Sequence, residues 1–467
     1  MYPEAVSAPL WDAVRRHTDA AAYPYHVPGH KQGRGLPEEF ARRMAQFDLT
    51  ELPGLDNLLA PSGPLAEAES LAARLCGSKA CHFTTGGSTS GIIAALLALC
   101  PSDKRPLLPR NAHVSCVHAC VLADLVPIFY DIQEDATRKL FLGADIADFS
   151  LRLTSDVGVA LLVSPNYHGV ISDAGAMSSL CREAGIPFIV DEAHGTHLLL
   201  SPPMPPSAVS LGADVVVQSV HKTGVALTGS SWVNVNTEAY VRSVKAALRL
   251  LQTTSPSYLQ LISLDLARAF FETQGKERAE VALRAAQAIR KAVPVYEPPE
   301  VYGLDPLRVV VDSLPLGMNG HQLGQHLLAQ GVAVEMTDLT TAVLVLSPGD
   351  GLCAIAPVTA AVAALTHRAR RTNSDISPAG RFLLGDQFAL SPRSAYLASG
   401  EDLPLHLANG RIAAEPVTLY PPGSPLIWPG QRIGEDFIEY INMSLAHGAS
   451  ATGLRQGTVR VVSEATK

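Results

Sequence analysis

The stretch Val215-Val216-Val217-Gln218-Ser219-Val220-His221-Lys222 runs from an apolar strand pattern straight into Ser-x-His-Lys. A lysine at the mouth of a buried strand is costly to charge. Desolvation lowers its pKa toward that of a usable nucleophile, which makes Lys222 a Schiff-base candidate. The plain alternative is a lysine at the surface after a strand. A second apolar run, Pro187-Phe188-Ile189-Val190, ends in Asp191-Glu192-Ala193-His194-Gly195. An acid there could be a metal ligand or belong to a phosphate loop, yet no Gly-rich loop ending in Lys-Ser/Thr precedes it. A buried Asp and a buried Lys at neighbouring strand ends are what pyridoxal phosphate (PLP) requires. The lysine holds the cofactor as a Schiff base, and the acid keeps the pyridine nitrogen protonated and so a better electron sink.

That cofactor also needs a phosphate cradle. Thr84-Thr85-Gly86-Gly87-Ser88-Thr89-Ser90-Gly91 supplies small residues and hydroxyls just before an apolar helical run, Ser90 to Cys100. Backbone N–H groups at a helix N-terminus bind an anion without a basic side chain. Such turns are common, and alone this one carries little. In the order cradle, Asp, Lys, the three pieces resemble the aspartate-aminotransferase-like (fold type I) class of PLP enzymes.

The elements that must position these residues follow from the pattern. Glu67 to Cys76 reads as an amphipathic helix and Ala80 to Thr84 as a strand. Arg105–Pro109, Val126–Tyr130, Gly158–Val163, Pro187–Val190 and Asp214–Val217 are short runs, aliphatic throughout, separated by helical pieces. Such runs suit strands covered on both faces, hence a mostly parallel sheet in an α/β domain whose ligands sit beyond the carboxyl ends of the strands. Ser255 to Ala292 is helical by pattern, with a solvated Lys/Glu/Arg face. Leu307–Val311 and Val343–Leu346 with a helix between them make a second, small α/β unit. A C-terminal appendage begins near Ser391, where Pro-rich sequence fixes a rigid non-helical surface. The expected division is an N-terminal segment 1–35, a PLP-binding large domain 36–260, a small α/β domain 261–375 and a C-terminal domain 376–467.

A more specific resemblance lies in the motifs. His26-Val27-Pro28-Gly29-His30-Lys31-Gln32-Gly33, Gly54-Leu55-Asp56-Asn57-Leu58, Asp191-Glu192-Ala193-His194-Gly195, Ser219-Val220-His221-Lys222, Thr253-Thr254-Ser255-Pro256-Ser257-Tyr258 and Tyr420-Pro421-Pro422-Gly423 are similar to those of the bacterial Orn/Lys/Arg decarboxylase family. They match its short biosynthetic branch best. The resemblance implies that Lys222 is the Schiff-base lysine, that Asp191 partners the ring nitrogen, and that Ala193 and His113 lie against the two faces of the ring. It implies a phosphate held by Ser88, Thr89, Ser90 and Ser219, with His194 also at the cofactor and His221 beside the lysine. Glu335 falls where the family has an acid near the substrate, and Thr253 and Ser255 line a dimer-related part of the site. The expected reaction is decarboxylation of a basic L-amino acid, arginine slightly ahead of lysine and ornithine, in a homodimer or a multiple of it. Lys222 or His221 would return a proton to Cα. The alternatives are a decarboxylase, lyase or aminotransferase for a modified amino acid, or a silent homologue that acts as a binding subunit.

Departures from the family pattern are His113-Val114-Ser115, Asn57-Leu58-Leu59, Leu227-Thr228-Gly229 and Pro429-Gly430-Gln431. Gln431 stands for a Glu whose charge is expected near the partner's active-site entrance, which loosens the preference for a dibasic substrate. His113, Cys116, His118 and Cys120 mimic a metal cluster, but their spacing fits no common tetrahedral zinc pattern. His168, His194 and His197 read as hydrogen-bonding or pocket residues rather than ligands.

Composition bounds the rest. The chain has 467 residues, with 36 Lys+Arg against 44 Asp+Glu and 17% charged residues. That argues against a disordered chain and offers no basic footprint for nucleic acid or anionic membrane. Seven scattered cysteines suit reduced core thiols, and with no secretory pattern or long apolar run the expected location is the cytoplasm.

Overall fold

The structure, a computed structural model, describes residues 14, 18–20, 22–366, 385, 387–420, 423–446 and 448–464. The expected boundary at 375/376, with Pro421 and Pro422 of the Pro-rich motif, lies outside the described residues. Chain entry is a short strand, β1 (Tyr23–Tyr25). The large unit is built on β2 (Ala80–Thr84), β3 (Arg105–Pro109), β4 (Ile128–Tyr130), β5 (Val157–Val163), β6 (Phe188–Asp191), β7 (Val215–Gln218) and β8 (Ser231–Val235). Their order in the seven-stranded sheet is β2-β8-β7-β6-β5-β3-β4. Only β8 runs against its neighbours, pairing antiparallel with both β7 and β2. β8 escapes the pattern argument because Ser231-Trp232-Val233-Asn234-Val235 interleaves polar residues with its apolar ones.

Polar β8 residues have a purpose inside the sheet. Gln218 donates to Glu192 and accepts from Asn234 at 3.0 Å, while Ser207 and the Ala208 N–H also donate to the Glu192 carboxylate. Burial pushes the Glu192 carboxyl up to about 7, against the pull of these three donors. The glutamate after Asp191 thus ties together the strand ends that carry the site.

The long helical stretch Tyr258–Ala292 passes through a wider turn at Phe271–Gly275 and leads into the small unit. There β9 (Arg308–Asp312), β11 (Met336–Thr337) and β12 (Thr341–Val345) form an antiparallel sheet, and β10 (Val332–Val334) pairs in parallel with β1. One apolar core joins Tyr25, Leu65, Trp232, Leu264, Ala286, Val309 and Leu344, so entry segment, large unit and small unit share their packing. Polar contacts cross the same seam: the hydrogen bonds His168–Asp338 at 2.9 Å and His197–Asp305 at 2.8 Å, and the ion pair Arg138–Asp312 at 2.7 Å. A C-terminal unit of small antiparallel sheets and the helix Glu435–Ala446 has its own core, and its Trp428 inserts edge-on against Phe129 at 5.2 Å. Among the described residues no helix is long and apolar enough to cross a membrane.

The family-like motifs are structural as well as chemical. Lys31 is fully buried, donating to the carbonyls of Pro24, His26 and Val345 and lying 3.6 Å from Asp350. It pins the entry segment to the small unit. Gly29 is thereby wedged between the two units: its N–H donates to the His221 carbonyl at 2.8 Å, and its carbonyl accepts from Ser347 Oγ at 2.6 Å. Asp56 accepts N–H bonds from Asn57, Ser62, Gly63, Leu65 and Ala66 at the start of helix α1 (Pro64–Cys76), and these bonds hold its carboxyl below the usual range. The Tyr258 hydroxyl bonds the Asp56 backbone, joining two motifs far apart in sequence.

Gly29 must be glycine. A Cβ there would sit 2.1 Å from the Gly224 carbonyl oxygen and 2.8 Å from that of Lys222, both backbone atoms that cannot swing away. Gly29→Ala is expected to cost about 1–3 kcal/mol by overpacking, read as a lower melting temperature. Gly351→Ala, whose Cβ meets only Cys353 Sγ at 3.8 Å, should leave melting unchanged; equal melting of the two variants would contradict this packing.

Candidate active site

The register of β5, β6 and β7 brings their carboxyl ends together, with Val163 opposite Asp191 and Asp191 opposite Val217. Asp191 is buried and accepts one hydrogen bond, from the Ala193 N–H at 3.1 Å. Burial raises its carboxyl, with the Lys222 ammonium pulling the other way. Lys222 follows β7 in a single helical turn, Val220–Thr223, and its N–H closes on the Ser219 carbonyl. Desolvation lowers the Lys222 amine, opposed by Asp191 and Glu335 and reinforced by Arg308. Each group of this pair is pushed toward neutrality by burial. Neither lies in ion-pair contact with the other.

Lys222 Nζ lies 3.1 Å from His194 Nε2 and 5.7 Å from the centre of the Tyr167 ring. Tyr167 also packs against the His194 ring, centroids 4.4 Å apart, and Arg308 Nη2 donates to His194 Nδ1 at 3.1 Å. Arg308 is fully buried at the start of β9, with Nε and Nη1 lacking hydrogen-bond partners, Asp305 in ion-pair range of Nε at 3.8 Å and its stem pressed on Gly169. Nothing in the strand pattern marks Arg308 or Tyr167; only the three-dimensional approach of the small unit does. The Glu335 carboxylate accepts from the Val27 N–H at 2.9 Å and raises both Lys222 and Lys31 electrostatically.

At the cradle, helix α2 (Gly87–Leu99) starts behind Gly86 without a side-chain cap. The Gly87 N–H is taken by the Gly229 carbonyl at 2.8 Å. Gly229, a departure from the family, has φ +86, a left-handed conformation that glycine adopts readily. The N–H groups of Ser88 and Thr89, in the first turn, have no intrahelical acceptor. Ser90 is different from the expectation: its hydroxyl bonds the Gly86 carbonyl at 3.0 Å and is committed to the helix. The Ser219 hydroxyl is fully buried without a hydrogen-bond partner. Unpaired first-turn N–H groups, an orphaned hydroxyl, a buried acid accepting one bond and a desolvated lysine form a donor and acceptor set that fits PLP.

His113 caps helix α3 (Val114–Ala123), its Nδ1 accepting from the Ser115 N–H at 3.2 Å. Burial first, then Lys222 and His118, bring His113 down to about 4. The C-terminal unit closes over this turn, since Val114 N–H donates to the Gly423 carbonyl and Ser424 Oγ to that of Asn111. His221 Nδ1 bonds the Ser230 carbonyl at 3.1 Å, and burial lowers this histidine to about 4 as well. In the decoy cluster Cys116 and Cys120 are buried while His118 is exposed, so the side chains diverge.

Three further residues lie outside this cluster. Thr253 and Ser255 are exposed in the turn after helix α4 (Glu238–Leu251), where their hydroxyls face each other, which leaves them free to meet a second subunit. Gln431 is buried in the C-terminal unit, accepting from the Trp428 N–H and donating to the Gly385 carbonyl. A glutamate would present a carboxylate to that carbonyl, so the amide answers a local need for a donor.

Residues 8–297 match the model "Orn/Lys/Arg decarboxylase, major domain" and residues 386–464 match "Orn/Lys/Arg decarboxylase, C-terminal domain". The chain is 32% identical to the arginine decarboxylase of Bacillus subtilis (strain 168), covering 98% of both chains. It is also 32% identical to that of Bacillus anthracis, over 98% of this chain and 97% of the other. The constitutive lysine decarboxylase of E. coli shares the fold, with a TM-score of 0.77 at 18% identity over 98% of this chain and 82% of that one. The chain belongs to the Orn/Lys/Arg decarboxylase family, whose members are PLP-dependent carboxy-lyases.

The depressed histidines make acid sensitivity a direct readout of the site. A histidine whose folded pKa lies below its unfolded value stabilises the fold above about 6.5 and loses that contribution as pH falls toward the folded value. For His113 and His221, both at about 4, the window runs from 6.5 down to 4. Urea unfolding of the cofactor-free chain should show stability falling by about 1–2 kcal/mol per histidine between pH 7 and 5, and falling less in His113→Gln/His221→Gln. An identical acid slope in that double variant would contradict the burial.

Proposed function

We propose that this chain decarboxylates a basic L-amino acid, arginine ahead of lysine and ornithine, releasing CO2 and the corresponding amine. The observation that carries the reading is the meeting of Lys222, Asp191 and His194 at adjacent strand ends, with the unpaired cradle behind them. Full-length relatives named arginine decarboxylase support the choice of substrate.

When bound, PLP accepts the electron pair left at Cα as the carboxylate departs. The chain's task is orientation: Cα–carboxylate bond cleavage needs that bond held perpendicular to the conjugated plane. As a carboxylate with one oxygen free of its single N–H donor, Asp191 would hold a proton on the ring nitrogen. Ser88, Thr89 and the Ser219 hydroxyl would bind the phosphate, with the Ser90 side chain excluded. His113 and Ala193 would bracket the ring, and Lys222, released by the substrate amine, would return a proton to Cα. His221 is a poorer donor for that step because its Nδ1–H already serves the Ser230 carbonyl. Glu335, half-buried beside the entry segment, would face the cationic end of the substrate.

A homodimer follows from this reading, with Thr253 and Ser255 reaching a partner's site. Leu49, Leu52 and Leu55, each more than a third exposed, supply apolar surface in the turn ahead of α1. Cytoplasmic location belongs to the same proposal.

The test is CO2 release by the PLP-loaded protein from arginine, lysine and ornithine, each offered alone. Arginine is expected to react fastest, and Lys222→Ala to lose at least about a thousandfold in rate. Glu335→Gln should raise KM for arginine roughly tenfold with a smaller change in kcat, as loss of one charge-assisted contact predicts. No turnover of any of the three would overturn the substrate class.

A further inference from the structure

We propose that Arg308, acting through His194, selects the uncharged form of Lys222 before any cofactor arrives. The inference rests on the reading of Lys222 as the Schiff-base lysine and adds what prepares it.

Donor and acceptor roles fix the protonation states of this chain of contacts. A guanidinium is a donor only, so the 3.1 Å contact from Arg308 Nη2 requires His194 Nδ1 to accept. A neutral imidazole with an unprotonated Nδ1 carries its proton on Nε2. Nε2 lies 3.1 Å from Lys222 Nζ, and an N–H there needs a lone pair to meet. An ammonium has none; an amine has one. The reverse arrangement, Lys222 as ammonium donating to Nε2, would put the imidazole proton on Nδ1 facing the Arg308 donor. Protonating the imidazole at both nitrogens would set it against two cations in a buried position, and burial with Lys222 and Arg308 drives His194 well below its ordinary value.

The chain is built so that Arg308 cannot turn away. Its stem lies on Gly169, where a Cβ would come within 2.5 Å of the Arg308 Cβ. Asp305 sits 3.8 Å from Nε while receiving His197 at 2.8 Å. Tyr167 packs on the imidazole and fixes its plane. The other charged or titratable groups around Lys222 are Asp191 and Glu335, which favour the ammonium, and His113 and His221, which Lys222 itself helps to keep neutral. Burial and the Arg308–His194 pair oppose the two acids. Because an aldehyde condenses only with an uncharged amine, the pair leaves Lys222 ready near neutral pH. Arg308 is on this account a positioning residue, not a catalytic one.

The test follows the amine itself and needs no turnover. The cofactor-free full chain is pulse-labelled with acetic anhydride from pH 6 to 10, and the Lys222 peptide is quantified by mass spectrometry, with exposed Lys79 as internal reference. Lys222 is expected to label with a midpoint below that of Lys79. Arg308→Met should raise the Lys222 midpoint by roughly 1–2 units, and Arg308→Lys, which keeps a cationic donor for Nδ1, should restore it. The decisive comparison is a double-mutant cycle with His194→Leu. In that background the relay has been cut, and Arg308→Met should leave only the smaller shift from its direct charge. An equal shift in both backgrounds would show a through-space charge effect and overturn the relay, as would no shift in either. Should Arg308→Met fail to fold, Arg308→Gln takes its place: its amide can accept as well as donate and no longer fixes the His194 tautomer, so the midpoint is expected to rise, less so beside His194→Leu, and one that stays low overturns the relay. Retention of PLP by wild type but not Lys222→Ala on gel filtration tests the Schiff-base reading separately, so either can fail alone.

Discussion

An acid and an amine are held close, dry and out of ion-pair contact at the ends of two adjacent strands, and the rest of the molecule serves that arrangement. In water Asp191 and Lys222 would both be charged. Here burial pushes each toward neutrality while their mutual attraction pushes back. Such a balance survives only if the backbone cannot relax to let the two meet. The parallel register of β6 and β7 fixes one axis, and the buried Glu192–Gln218–Asn234 network beneath it prevents the strand ends from sliding.

The other restraints come from outside the sheet. Gly29 presses its backbone on the Lys222 turn from the entry segment, which Lys31 anchors to the small unit through three carbonyls. From the small unit, Arg308 reaches His194, and from the C-terminal unit Gly423 and Ser424 brace the His113 turn. Three segments remote in sequence therefore converge on one cluster. That convergence explains why the family's motifs are spread along nearly the whole chain: several of them shape the walls and touch no reacting atom.

Much of this was legible before the structure. Runs apolar throughout announced parallel strands, and polar residues just after them marked Asp191, Lys222 and the cradle, because strand ends are where such sheets bind ligands. Family resemblance then added His113, Glu335 and the serines. What stayed hidden had no periodic signal. β8 mixes polar residues into a buried strand because Asn234 belongs to an internal network. Ser90 looked like its neighbours Ser88 and Thr89, but one turn of helix geometry directs its hydroxyl to Gly86. Arg308 opens an ordinary apolar strand, and its burial against Gly169 depends on how the small unit docks. At Gln431 the sequence shows a lost charge, while the donor that the Gly385 carbonyl takes from its amide shows only in three dimensions.

The central claim is that Lys222 is the cofactor-bearing amine of this cluster. The most direct measurement is borohydride reduction of the PLP-loaded protein followed by peptide mapping. The account predicts a stable pyridoxyl label on Lys222 and on no other lysine, including Lys31, which its carbonyl cage ties down. A label on a different lysine, or an unlabelled Lys222 in protein that retains PLP, would contradict it.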